Sequence, residues 1–140
     1  MKLLLRTSSY PFLLLRLVTG LIFFSEGIQK FVRPDDVGSS RFAKIGFSDP
    51  VFWAHFTGCF EIICGTLLVV GLITRLASIP LLIIMTVAFF KTKLTILQSN
   101  GFLPFAHEYR TDFAMTMLLF LFLIYGAGRT SFDLRLSDYK

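Results

Sequence analysis

Cysteine is nearly absent from this chain: Cys59 and Cys64 are its only two. They sit five positions apart in an apolar helical run, hence on different faces, and form no CxxC spacing. That leaves no disulfide framework, only two small packing residues. The sequence also lacks a haem signature, a cysteine cluster, a flavin motif and metal-ligand spacing. Any electrons the protein handles must therefore come from a redox centre on a partner. Zinc-finger spacing, a basic stripe and a recognition helix are missing too, which argues against nucleic acid as a partner. Charge itself is thin: Asp, Glu, Lys and Arg make up 16% of the residues, against roughly 25% in soluble domains.

Apolar residues take the place of charge, at 54% of the 140, with 17 Phe among them. A soluble fold this short has too little interior to hide so many aromatics, whereas a bilayer accepts them directly. The net charge of +5 is spread over termini and loops, which suits contact with anionic lipid. Four long apolar runs follow one another. The expected fold is all-α, an integral membrane four-helix bundle, with residues 1–140 forming a single domain.

The second run organises the rest. Val51 to Arg75 reads VFWAHFTGCFEIICGTLLVVGLITR. Up to Gly71, at 1.5 Å per residue, it spans about 30 Å, the thickness of a hydrocarbon core. Glu61 lies near its middle. A carboxylate at that depth costs roughly 2.5–3.5 kcal/mol on insertion scales, so it is expected to face protein or a water-filled cavity. His55, Gly58, Glu61 and Gly65 recur at three- and four-residue steps and mark one small, polar stripe.

The first span is expected from Phe12 to Phe31, with Pro11 at the helix start after Ser8 and Ser9. Lys2 and Arg6 ahead of an apolar run have the look of a signal peptide. Arg16, Glu26 and Lys30 interrupt that run and no Ala-x-Ala site follows, so it reads as a retained span. Arg33-Pro34-Asp35-Asp36 ends it. In the connection to Pro50, Phe42, Ile45 and Phe47 are spaced for a short interfacial helix with Arg41 and Lys44 outward. This connection reads equally as a cover over one mouth of the bundle or as a linker. Ser48-Asp49-Pro50 is the cap and first turn of the second span.

Gly71 to Arg75 is a tight turn that makes the second and third spans antiparallel neighbours. The third span begins near Leu76, carries Pro80 in its first turns and is apolar to Phe90. Continued past Lys91 and Lys93 to Leu97, it gains full length. The fourth is expected from Phe113 to Tyr125, with Glu108 and Asp112 at its start, where acidic groups complement the helix N-terminus. Ser131 and Asp133 are expected to fold back on Arg129. Basic residues divide almost evenly between the two sides and give no positive-inside bias. Four spans put both termini on the same side.

Ionisable groups inside a membrane are functional candidates by default. Glu61, Glu26 and His55 are the candidate catalytic residues, as groups able to take and release protons. Arg16, His55, Glu61 and Lys91 are the candidate ligand-binding residues, and there is no candidate metal ligand set. A quinone matches this set: its headgroup needs donors to two carbonyls and nearby proton-exchanging groups, and its tail needs apolar walls. Structural readings stand beside each assignment. Glu26 and Lys30 form an i,i+4 pair in the favourable order, and Arg16 and Lys30 can snorkel to opposite interfaces. Lys91 and Lys93 either snorkel or neutralise Glu61 and Glu26 from across the bundle. Arg16 with Glu61 can simply hold helices together.

Several stretches in order resemble the DoxX family of small bacterial four-span membrane proteins. They are Leu15-Arg16-Leu17, Gly20-Leu21-Ile22-Phe23 and Gly27-Ile28-Gln29-Lys30 in the first span; Glu61, Gly65 and Gly71-Leu72-Ile73-Thr74-Arg75 in the second; then Glu108-Tyr109 and Gly126-Ala127-Gly128-Arg129-Thr130-Ser131-Phe132-Asp133. Asp35-Asp36, and Phe24-Ser25-Glu26 where relatives often have a small residue and histidine before the glycine, depart from the pattern. The resemblance implies a bacterial inner-membrane protein with cytoplasmic termini. It also implies a link to membrane quinone oxidoreductases, with another redox or membrane protein, lipid or a second copy as partner. Two other functions are weighed against a redox subunit. One is a non-catalytic membrane anchor or assembly partner. The other is a small-solute transporter, for which the glycines allow movable helices but no inverted repeat is evident.

Overall fold

The computed structural model describes residues 10–128 and Ser131. Among these every regular element is helical: α1 (Tyr10–Val32), α2 (Ser39–Lys44), α3 (Pro50–Val70), α4 (Thr74–Ala88), a π-helical segment (Phe89–Lys93), α5 (Leu94–Asn100) and α6 (Phe102–Tyr125). The boundaries follow local chemistry. The Asp49 side chain accepts from the Phe52 N–H at 3.2 Å and Pro50 opens α3, where a missing N–H does no harm. Gly71, at φ 78°, closes α3 in the left-handed conformation that favours glycine. Only Gly71, Leu72 and Ile73 separate α3 from α4, so the two helices run antiparallel, as the tight turn predicts.

Helices α1 and α3 form the closest pair. Their glycines meet in antiparallel register. A Cβ on Gly20 would lie 2.7 Å from the Gly65 carbonyl oxygen, and one on Gly27 would lie 2.7 Å from that of Gly58. The two backbones thus touch, which is what small residues permit between helices in lipid. Helix α4 packs on α6 and α3, and α2 packs on α3. The shared interior is made of Phe23, Cys64, Leu68, Ala77, Leu81, Met115, Leu119 and Phe122. The buried Thr19 and Ser78 hydroxyls donate along their own helices, to the Leu15 and Thr74 carbonyls. Outside, Leu14, Val18, Ile63, Leu76, Ile83, Phe90 and Ile124 are exposed, an apolar surface too broad for water. Residues 11–32, 50–70 and 74–100 are each long and apolar enough to cross a bilayer. This is a transmembrane protein.

Four expectations about the elements need correction. Helix α6 begins at Phe102, not near Phe113, so Glu108 and Asp112 lie inside it rather than capping it. The Gly101 break is narrow, and Pro104 falls in the first turn, where proline is tolerated. Helix α4 begins at Thr74, which leaves Pro80 inside it. The third run does continue past the lysines, but through a π-helical segment. Arg41, expected outward, is partly buried, because α2 lies flat against the bundle. Ser131 donates to the Gly128 carbonyl at 2.7 Å; Arg129 and Asp133, like Ser8 and Ser9, lie outside the described residues.

Candidate functional site

A cavity of about 590 Å³ opens between α1, α3, α4 and α6, beneath α2. Its walls are mostly apolar, including Ile22, Phe23, Trp53, Phe60, Ile84 and Met115. Helix α2 supplies the roof: Phe42 packs on Phe47 at 5.4 Å between ring centroids, and Phe47 on Trp53 at 5.6 Å. Gly38 sets the position of that roof, since a Cβ there would meet the Lys30 carbonyl oxygen at 2.6 Å. The connection after α1 therefore covers one mouth of the bundle and is more than a linker.

The polar groups of the cavity are concentrated on α1, α3 and α2. Lys30 donates to Glu61 across 2.5 Å, with side-chain exposures of 11% and 3%. The pair forms because Gly27 and Gly58, one turn away on each helix, bring α1 and α3 into backbone contact. Glu26 and Arg41 also line the space, both partly buried, and both interact electrostatically with Glu61. Neither side chain has a hydrogen-bond or ion-pair partner among the described residues. Asp112 lines the cavity from α6 and faces buried Lys93 at 3.4 Å. Lys93 also donates to the Glu108 carbonyl at 3.0 Å. The π-helical segment, a feature often found at functional sites, thus sends Lys93 towards α6 while Thr92 lines the cavity.

Such an arrangement holds donors and acceptors against an apolar chamber. Lys30 keeps N–H groups beyond the one given to Glu61, Arg41 offers up to five, and ionised Glu26 and Asp112 accept only. An amphiphile with a small polar head meets both kinds of partner here. No cluster of three or more His, Cys, Asp or Glu positioned for a metal occurs among the described residues.

The candidate residues divide. Glu26 and Glu61 come together at the cavity. Arg16, His55 and Lys91 do not line it. Arg16 is buried some four turns from Lys30 along α1, about 21 Å at the rise of a helix, where its Nη1 donates to the Ala127 carbonyl at 2.8 Å. There it serves the chain just past α6, while Arg75 bonds the Ile124 carbonyl at 2.9 Å. Cations at the end of a helix suit its free carbonyls. An Arg16–Glu61 contact is thereby ruled out. His55 is exposed on the edge of α3 and stacks on Phe31, with centroids 4.9 Å apart. It follows the helical step from Gly58, yet near the end of α3 that step points outward. Lys91 is exposed and lies over the Phe47 ring at 5.9 Å. Neither Lys91 nor Lys93 neutralises Glu61 or Glu26; Lys30 serves Glu61 instead of Glu26. Sequence reasoning also left Arg41 and Asp112 out of the site, and only the depth of Lys93 in an apolar run hinted at a buried partner.

Comparison with known proteins supplies the lineage. The DoxX family model matches residues 12–94. The chain is similar to "Uncharacterized membrane protein Rv3486" of Mycobacterium tuberculosis, 49% identical over 129 residues that cover 88% of this chain and 79% of the relative. It is also similar to a protein of Bacillus subtilis named "Putative oxidoreductase CatD", 39% identical over 67 residues, 48% of each chain. No solved structure matches it significantly. The family match spans α1 through the π-helical segment, the elements that carry Lys30, Arg41 and Glu61, and the chain belongs to the DoxX family of membrane proteins.

Proposed function

We propose that this protein is a four-helix membrane subunit of a redox system and that its cavity takes a quinone. The observation that carries the reading is an apolar chamber with Glu26, Lys30 and Glu61 gathered at its polar end. Helix α6 is the fourth span in this reading. Glu108, Arg110 and Asp112 interrupt its apolar face, and Lys93 offsets two of those charges from the π-helical segment. Both termini then lie on one side, the cytoplasmic side of a bacterial inner membrane.

A quinone supplies two-electron, two-proton chemistry when bound, and its two carbonyls accept hydrogen bonds. The chain's own residues hold and move protons. Lys30 donates to the Glu61 carboxylate and presents its remaining N–H groups to the chamber. Glu26, free of any partner among the described residues, takes up or delivers a proton at its carboxylate. The aromatic roof and apolar walls keep bulk water from the headgroup and leave room for the start of an isoprenoid tail. The electrons come from a partner that carries a flavin, haem or iron–sulfur centre. The similarity to a protein named as an oxidoreductase points the same way.

The test is quinone reduction by the assembled complex in native membranes. Glu61→Gln and Glu26→Gln are each expected to lower turnover by about 10²-fold or more, the usual worth of a positioned acid or base. Unchanged turnover in either variant removes that carboxylate from the mechanism. A second reading, a non-catalytic anchor or assembly partner, draws on Arg16 and Lys93, whose charges are spent on packing. In that case Glu61→Gln and Glu26→Gln both leave turnover per assembled complex intact, while Arg16→Ala or Lys93→Met lowers the amount of complex that assembles.

A further inference from the structure

Helix α2 carries the one cation lining the cavity that makes no hydrogen bond or ion pair among the described residues. Lys30 is committed to Glu61 and Lys93 to α6, whereas the Arg41 guanidinium lines the chamber with no bond or ion pair among the described residues. A partly buried guanidinium presents five N–H groups in a planar fork and accepts nothing. Its natural complement is an acceptor on the ligand. Glu26 lines the same chamber, also without a hydrogen bond or ion pair among the described residues; it accepts and, when ionised, does not donate. The two groups therefore ask for opposite chemistry from whatever lies between them.

We propose that Arg41 is a ligand-binding residue that selects the oxidised over the reduced form of the headgroup, a role that rests on the quinone reading above. A quinone's carbonyl oxygens only accept, so they match the guanidinium. A quinol's hydroxyls can still accept, but they also donate to Glu26, so the quinol keeps that bond and loses less when Arg41 is removed. The position of Arg41 is fixed by the roof. Gly38 seats α2 against the end of α1, and the Phe42, Phe47 and Trp53 rings hold it against α3. Its neighbour Lys44 is exposed and does not line the cavity.

The chain carries its own reporter, because its single tryptophan, Trp53, lines the same chamber. The experiment titrates a short-chain benzoquinone, and separately its quinol, into the full-length protein in lipid nanodiscs and follows quenching of Trp53, with empty nanodiscs subtracted. Saturable quenching is expected for the native protein. Arg41→Ala should weaken the oxidised form about tenfold and the reduced form less than about threefold, on the scale of one charge-assisted hydrogen bond at a partly exposed site. Arg41→Lys should fall between, and Lys44→Ala should match the native protein. Equal affinities in Arg41→Ala and the native protein, with saturation in both, overturn the role of Arg41 and leave the quinone reading standing. An equal loss for both forms, with or without a lowered melting temperature, overturns the selectivity. If the native protein saturates with neither form, the quinone reading itself is overturned and the role of Arg41 falls with it.

Discussion

Lys30 on α1 and Glu61 on α3 stand 2.5 Å apart, and one turn away the backbones that carry them touch where Gly27 meets Gly58. The ion pair and the glycine contact are one construction. Without close approach the lysine falls short of the carboxylate, and without the lysine a mid-helix carboxylate has only Glu26 and Arg41 near it.

Removing one member of this pair is expected to be far worse than removing both. Lys30→Met strands a buried charge and should cost about 3–5 kcal/mol. Lys30→Met with Glu61→Leu should recover much of that. Reversible unfolding in mixed micelles, arranged as a double-mutant cycle, measures the coupling.

The glycine contact sets a second expectation. Gly27→Ala places a methyl group 2.7 Å from the Gly58 carbonyl oxygen and 2.9 Å from the Ile62 nitrogen, atoms that cannot yield without moving α3. A loss of about 1–3 kcal/mol is expected, as for overpacked cores. Leu14→Ala, on the exposed face, should change the melting temperature little by comparison.

At the far end, Arg16→Ala should release the Ala127 carbonyl and cost about 1.5–3 kcal/mol, the range for a hydrogen bond from a charged donor. Amide exchange should quicken around Gly126 to Gly128. Ligand quenching of Trp53 should hold, because Arg16 does not line the cavity.

Lys93→Met tests whether α6 spans. The substitution leaves Glu108 and Asp112 without their cation, so α6 should insert less completely. Protease protection of a C-terminal tag, measured in membrane vesicles against the native chain, gives the answer.

The two cysteines should differ in reactivity. Cys59 is exposed and Cys64 is 5% exposed within the core. A small lipid-soluble thiol reagent is expected to modify Cys59 in the folded protein and Cys64 only after unfolding, read by mass spectrometry of the intact chain.

Composition and periodicity alone determined that this is a helical membrane protein. They also located the first three long helices to within a few residues, because bilayer thickness and proline or glycine breaks act on local sequence. The tight turn after Gly71, the cap at Asp49, the inward-facing Glu61 and the close glycine faces of α1 and α3 were legible for the same reason. The tertiary structure decided which charges meet. Lys30 has Glu26 four residues away on its own helix, yet bonds Glu61 on another, because helix contact puts the distant carboxylate nearer. Arg16, read as a ligand donor, serves a carbonyl at the far end of the bundle, and Arg41, read as outward, faces the chamber. Direction around a helix follows from local spacing; the identity of what lies opposite depends on how the helices are placed side by side.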